Sequence, residues 1–393
     1  MQSGTDEGTF TAETRRGNMQ AKSQGRLKKV FPGANTPRGF VSFYSYLMEP
    51  CTNMVFIIKG GPGIGKSTLI DRIGRVLLNM GYDTEYACCA HDPSSYDGIV
   101  VPELGLGLFD GTPPHVLEPR LPGIVERIIN LGDFLLRTKL IRHKQEVVQA
   151  QEEVSTLFDI AFRYLEEARL IYDHWEACNA EALDPGRLNC IVEELLSECL
   201  HGTEVSVNPG KPRCFFASAI TANGPIHHLE TVVSHASRRY ILQGEPGTGK
   251  SAIVKEIADK AISHGFNVEL YHCPINPKKV QHAVVPGLGV ALISSEWPHL
   301  IAPMEDIDRV IEAGQILSTK IAGKYRFFVS DAKQRFQDVL EKAVKCFHQA
   351  KHEYDKVQAI YSESMDFSQV ERLGDGILGE ILKLAEEIKE ATS

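Results

Sequence analysis

The stretch Gly60-Gly61-Pro62-Gly63-Ile64-Gly65-Lys66-Ser67-Thr68 constrains this chain most, and it occurs twice. Gly244-Glu245-Pro246-Gly247-Thr248-Gly249-Lys250-Ser251 repeats its pattern later in the sequence. Both fit G-x-x-x-x-G-K-[ST], the pattern of a phosphate-binding loop. Glycines let successive backbone N–H groups turn inward around phosphate oxygens, and the helix that follows adds its N-terminal partial charge. One chance match in such a chain is on the order of one in a hundred from average residue usage; two matches remove chance as an explanation.

The flanks supply the context that the pattern needs. Met54 to Ile58 is an apolar run that reads as a buried strand. Thr68 to Met80 has helical spacing, with Leu69, Ile70, Ile73, Val76 and Leu77 on one face. Around the second loop, Tyr240-Ile241-Leu242 reads as a strand and Ala252 to His264 as a helix. In this reading Gly60, Gly61, Gly63, Gly65, Lys66, Ser67 and Thr68 hold one nucleotide. Gly244, Gly247, Gly249, Lys250, Ser251 and Ala252 hold another. Lys66 and Lys250 reach the β- and γ-phosphates, and Ser67 and Ser251 ligate Mg²⁺.

Similarity between the halves extends far beyond the loops. Gly81 matches Gly265, Glu85 matches Glu269, Cys89 matches Cys273, and Val100-Val101-Pro102 matches Val284-Val285-Pro286. Further on, Tyr172-Asp173 matches Tyr354-Asp355, and Asp184 matches Asp366. The repeat is about 180 residues long, which means tandem domains rather than a solenoid. Strands alternating with helices predict an α/β fold: two tandem P-loop NTPase domains, each a parallel sheet covered by helices. Residues 1–25 read as a disordered leader, 26–199 as the first domain, 200–211 as a linker and 212–393 as the second domain. Each domain carries a long helical segment, placed at 133–184 and 324–373, where glycine and proline are absent. A helix pair folded as an αα-hairpin within each domain is favoured over one straight helix, as a packing element or as a lever that senses nucleotide state.

Composition narrows the class. The chain has 393 residues and a formal charge of -9, which argues against a broad nucleic-acid-binding surface. No apolar run approaches the ~20 residues of a membrane span. Nine cysteines, an odd number without C-x-x-C pairs, read as free thiols and a cytoplasmic location. No N-K-x-D guanine-reading motif is visible, which favours ATP over GTP.

Several carboxylates can serve the phosphates. Asp110 ends an apolar run, where a Walker-B-type residue holds Mg²⁺; the alternative is an Asp making a turn with Gly111-Thr112. Its match in the second half is Ser294. Asp97 is matched by Gln281 and Glu118 by Ala302, so three acidic positions are lost there. The expectation is an asymmetric pair, with the first site catalytic through Lys66 and Asp110 and the second mainly binding nucleotide. Glu245, inside the second loop, adds to this unless its carboxylate points away. Asp92 and Asp97, read in the loop after the second strand, either orient an acceptor hydroxyl, as an acidic residue near this place does in P-loop kinases, or are surface loop acids. Arg38 and Arg120 can act as charge-stabilising fingers. His115 and His299 are matched histidines that either pack or contact phosphate.

The doubled loop, the Asn35-Thr36-Pro37-Arg38-Gly39 and Asp110-Gly111-Thr112-Pro113-Pro114-His115 segments and the helical tail ending near Asp184 resemble a family of bacterial tandem P-loop ATPase-like proteins, mostly from Firmicutes. The resemblance implies a duplicated P-loop fold and ATP binding with Mg²⁺, and names no substrate. The expected function is slow ATP hydrolysis. The alternatives are a kinase acting on a small molecule or nucleotide, and a nucleotide-gated scaffold in which the two domains pair within the chain. A nucleic-acid-dependent motor is the weakest of the readings.

Overall fold

The computed structural model describes residues 24–114, 116–297, 299–304 and 306–392. Residues 1–23 of the expected leader, and His115, lie outside the described residues. In the first unit β1 (Leu27–Val30) leads to the hairpin β2 (Gly33–Thr36) and β3 (Gly39–Ser42), then to a short helix α1 (Tyr44–Met48). β4 (Met54–Lys59) enters the glycine loop, which opens α2 (Lys66–Asn79). β5 (Thr84–Cys88), β6 (Tyr96–Val101), β7 (Leu106–Asp110) and β8 (Glu126–Asn130) complete a six-stranded sheet of order β1-β5-β6-β7-β4-β8. After a short α3 (Arg137–Leu140) come α4 (Lys144–Ala180) and α5 (Pro185–Cys199).

The second unit repeats this order. Its strands are β9 (Pro212–Phe215), β10 (Ser218–Thr221), β11 (Gly224–His227), β12 (Arg238–Gln243), β13 (Val268–His272), β14 (Val280–Val285), β15 (Val290–Ser295) and β16 (Asp308–Glu312). Its helices are α6 (Leu229–Val232), α7 (Lys250–Ser263), α8 (Thr319–Glu363) and α9 (Phe367–Thr392). Its sheet has the equivalent order, β9-β13-β14-β15-β12-β16.

The sheets are mixed rather than wholly parallel. β6 runs antiparallel to β5 and β7, and β14 to β13 and β15. The connections explain it: Pro102–Leu104 and Pro286–Leu288 are single turns between neighbouring strands, whereas a parallel crossover needs a dozen or more residues. These strands lay inside segments that read as polar loops because their apolar runs are short.

Burial alternates along β4 as strand geometry requires. Phe56 and Ile58 face α2, together with Ile70, Ile73 and Leu77. Val55 and Ile57 face the other way, into a core shared with Phe215, Ile241, Tyr271 and Ile293 of the second unit. Each sheet therefore has helices on its outer face, while its inner face shares one apolar core with the other unit and the short helices α1 and α6.

The tails differ most from expectation. α4 and α8 are continuous helices, about 55 Å and 68 Å long at 1.5 Å per residue, and they pack against each other across the two units. Phe158 meets Phe347, and Trp175 meets Phe336; Val147 and Ala150 share a cluster with Val357 and Ile360. Rising numbers on α4 meet falling numbers on α8, so the pair is antiparallel. The hairpin expected within each unit is replaced by a pair between units. Their 3.6-residue apolar periodicity fixes one buried stripe on each helix without naming its partner. The terminal helices then exchange places. Leu195 and Cys199 of α5 join the second unit's core beside Ile253 and Ile257. Val370, Ile377 and Ile381 of α9 join the first unit's core beside Leu69 and Ile73.

Paired charges close the centre. Glu85 accepts from Lys28 and, at 2.8 Å, from Arg213; Glu269 takes both cations from the other side. Phe31 and Phe216 exchange backbone hydrogen bonds of 2.9 Å each. Among the described residues, no helix is long and apolar enough to cross a membrane.

Candidate nucleotide site

β4 and β7 are adjacent and parallel, with Ile58 beside Asp110. Both strands therefore deliver their C-terminal ends to one edge, which puts the glycine loop next to Asp110. Gly63 and Gly65 have φ of 69° and 92°, left-handed values at which a side chain would be strained. They turn the chain so that α2 begins at Lys66 without a side-chain cap. Its first amides are left to an incoming acceptor. Gly60 and Gly61 present their carbonyls to the Lys66 ammonium, at 3.0 Å and 2.6 Å.

Lys66 Nζ also lies 3.5 Å from Asp110 Oδ2. Asp110 Oδ1 accepts from the Thr112 amide (2.9 Å) and hydroxyl (2.6 Å). The turn reading of Asp110 is thus realised through Oδ1, while Oδ2 faces the lysine. Ser67 Oγ accepts from the Tyr96 amide at 2.8 Å. Among the described residues there is no cluster of three His, Cys, Asp or Glu side chains that could cage a metal. Ser67 and Asp110 fit Mg²⁺ in its usual manner, with one or two protein oxygens completed by phosphates and waters.

The loop opens onto a cavity of about 910 Å³. Lys66, Ser67, Thr68, Asp92, Asp97 and Asp110 line it from the first unit, and Lys351, Tyr354 and Gln358 from α8 of the second. Asp97 is buried and accepts from the Tyr44 hydroxyl at 2.8 Å. Asp92 accepts from Ser94 and pairs with Lys351 at 3.2 Å. Burial pushes its carboxyl up, but Ser94 and Lys351 outweigh burial and hold it below its ordinary value. Burial, with Asp110, Asp97 and Asp92 nearby, pushes the Tyr354 hydroxyl up. α8 lies directly on the loop: a Cβ on Gly63 would collide with the Gln358 carbonyl, and one on Gly61 with the Tyr361 ring. Arg38 and Arg120 are exposed and outside the cavity lining, and Glu118 pairs with Lys59 at 3.0 Å.

The second loop has the same backbone, with Gly244, Gly247 and Gly249 at φ of 158°, 83° and 90°. α7 starts at Lys250, followed by a half-buried Ser251 and an exposed Ala252. Its surroundings differ. Lys250 Nζ is bound by Glu296 Oε2 at 2.9 Å as well as by the Gly244 and Glu245 carbonyls. Tyr172 donates to Glu296, and Asn179 of α4 donates to the Pro246 carbonyl at 2.7 Å. Trp175, Phe336 and Trp297 gather beside them. Glu245 points away from the loop, toward Trp175 Nε1 and Lys333. Ser294 is buried, its amide donating to His282 Nδ1.

The sequence reading missed Glu296, two residues past the position matched to Asp110, and every loop contact from the long helices. The matched Tyr172 and Tyr354 were the available signal, since each stands beside the other unit's loop. His299 is buried, with Nε2 3.3 Å from Ser218 Oγ. Burial and the neighbouring His227 push its imidazole down to about 3, so it is a packed neutral histidine. In comparisons with known proteins, no family model, no curated protein and no solved structure matches the chain.

Proposed function

We propose that the chain binds Mg-ATP at the first loop and hydrolyses it slowly, with turnover in the first unit. The observation that carries this is the convergence of Lys66, Ser67 and Asp110 on one cavity, under the uncapped start of α2. Phosphoryl transfer needs positioning and charge stabilisation more than covalent chemistry from the protein. In this reading α2 amides and Lys66 hold the phosphates. Lys66 would turn from its loop carbonyls to phosphate oxygens, and Ser67 and Asp110 would hold Mg²⁺, which would supply charge neutralisation for phosphoryl transfer.

The second loop has the lesser role. A nucleotide entering there must displace the Glu296 carboxylate from Lys250, so occupancy is weaker and turnover poorer. The test is Mg-dependent ADP release by the full chain beside Lys66→Ala and Lys250→Ala. Removing one charge-stabilising donor costs roughly 100- to 1000-fold in rate, so Lys66→Ala is expected to lose nearly all turnover and Lys250→Ala little. Equal loss in both variants would overturn the asymmetric reading, and MgATP bound without turnover would leave a nucleotide-gated scaffold.

A further inference from the structure

The cavity continues well past the phosphate loop, and its far end is built from rings. Phe40, His91, Phe158, Phe162 and Phe347 line it. Their order along the cavity follows from α8. Gln358 touches the loop at Gly63, Lys351 bonds Asp92, and Phe347 is a further turn away. Eleven residues of helix put Phe347 about 16 Å from the loop contact, with Asp92 between them.

Two observations separate this end from ordinary core packing. The first is the internal repeat. Phe158, Phe162, Phe347 and His91 correspond to Leu340, Val344, Leu165 and Ile275, and Phe40 to Pro225. The same fold positions are thus filled by aliphatic or proline side chains on the other side of the molecule, so the architecture does not need rings there. The second is position: Phe40, His91, Phe158 and Phe347 all border the open cavity. Their mutual inclinations of 56°, 67° and 61° are tilted and edge-to-face contacts, the packing that aromatic rings prefer, and they form the wall of its far end.

We propose that the first site transfers the γ-phosphate of ATP to the hydroxyl of an uncharged, ring-bearing alcohol of the nucleoside type, whose ring is held among Phe40, His91, Phe158 and Phe347. This rests on the reading of the first loop as an ATP site and gives that site an acceptor. The charge of the cavity selects a neutral acceptor: Asp92, Asp97, Asp110 and Asp159 line it against Lys66 and Lys351, and a second anion beside the triphosphate would be repelled. In the step, the acceptor oxygen attacks the γ-phosphorus and the bond from that phosphorus to the β–γ bridging oxygen breaks. ADP leaves with the electron pair. The hydroxyl proton passes to the Asp97 carboxylate and then to water. Water is the default acceptor when the ring end is empty, which accounts for slow hydrolysis.

The experiment uses the full chain. MgATP binding is measured by calorimetry. ADP release is measured alone and with adenosine, guanosine, cytidine, thymidine, ribose or glycerol, and phosphomonoester product is sought by ³¹P NMR. At least one nucleoside is expected to raise ADP release tenfold or more with matching product, while ribose and glycerol do not. Phe158→Leu and Phe347→Leu carry the residue type of their counterparts and are expected to raise the nucleoside KM about tenfold, the scale of one lost base–aromatic stack. Asp97→Asn is expected to lower kcat with nucleoside more than it raises that KM. MgATP binding with no product from any of the four nucleosides overturns the acceptor and leaves the ATP site standing. Equal stimulation by ribose or glycerol, or an unchanged nucleoside KM in both phenylalanine variants, also overturns it. Absence of MgATP binding removes the reading beneath it.

Discussion

Glu85 sits where both units meet, and its environment decides how the centre responds to acid. Burial opposes its charge, but Lys28 and Arg213 outweigh burial and hold its carboxyl at about 2. An unfolded glutamate titrates near ~4.3. The folded value is the lower one, so the stabilisation is complete above ~4.3 and is lost as pH falls through about 2. Glu85→Ala leaves two buried cations short of a partner, and removing one member of a buried ion pair costs roughly 3–5 kcal/mol. The variant is expected to show a urea midpoint lowered accordingly at pH 7, with a smaller further loss between pH 4.5 and pH 2.5 than the native chain. A midpoint unchanged at pH 7 would mean that the quartet contributes nothing. Residues of this kind were partly legible: Glu85 and Glu269 were visible as a matched pair. Their partners were not, because a charge pattern does not say which cations the fold brings within reach.

The loops show how two elements with one backbone diverge through what is laid on them. Over the first loop α8 places Gln358 and Tyr361, with Val357 at the position matched to Trp175, and past β7 stands Thr112. Over the second α4 places Trp175, and Glu296 stands past β15. The double variant Trp175→Val and Glu296→Thr gives the second loop the residues of the first. It is expected to raise the number of nucleotides bound per chain from one toward two in equilibrium dialysis with MgATP. A stoichiometry that stays at one would show that other side chains close the loop. The strand–loop–helix units were legible from sequence because their cause is local: glycines at fixed spacing, an apolar run before them and helical spacing after. Tyr240-Ile241-Leu242 lengthened only to β12, and Thr68 to Met80 shifted only to α2. The antiparallel β6 and β14 were illegible because direction is set by connection length, which the polar loops concealed.

At the scale of the molecule the two halves form a pseudo-dimer on one chain. Reciprocal bonds such as those of Phe31 and Phe216 are what a twofold interface makes, the same patch serving both sides. The exchanged tails bind the halves further. α9 buries Val370, Ile377 and Ile381 on the first unit, and each fully buried branched side chain contributes roughly 1.5–3 kcal/mol. Three of them approach the whole stability of an ordinary domain, about 5–15 kcal/mol. A chain ending after residue 364 is therefore expected to lose the first unit more than the second. Limited proteolysis should then cut near α2 before α7, and an unchanged cleavage order would refute the exchange. The exchange was hidden in the sequence because an apolar helix face demands a cover without specifying which half supplies it.

The exchanged tail also sets a clock on the ribosome. The first unit's outer face waits for α9, the last helix described, to be made. At roughly 5–20 residues per second, the second half takes on the order of 10–40 s to synthesise. Through that interval Leu69 and Ile73 of a nearly finished first unit lack α9. The nascent chain thus presents an apolar face that the finished protein covers.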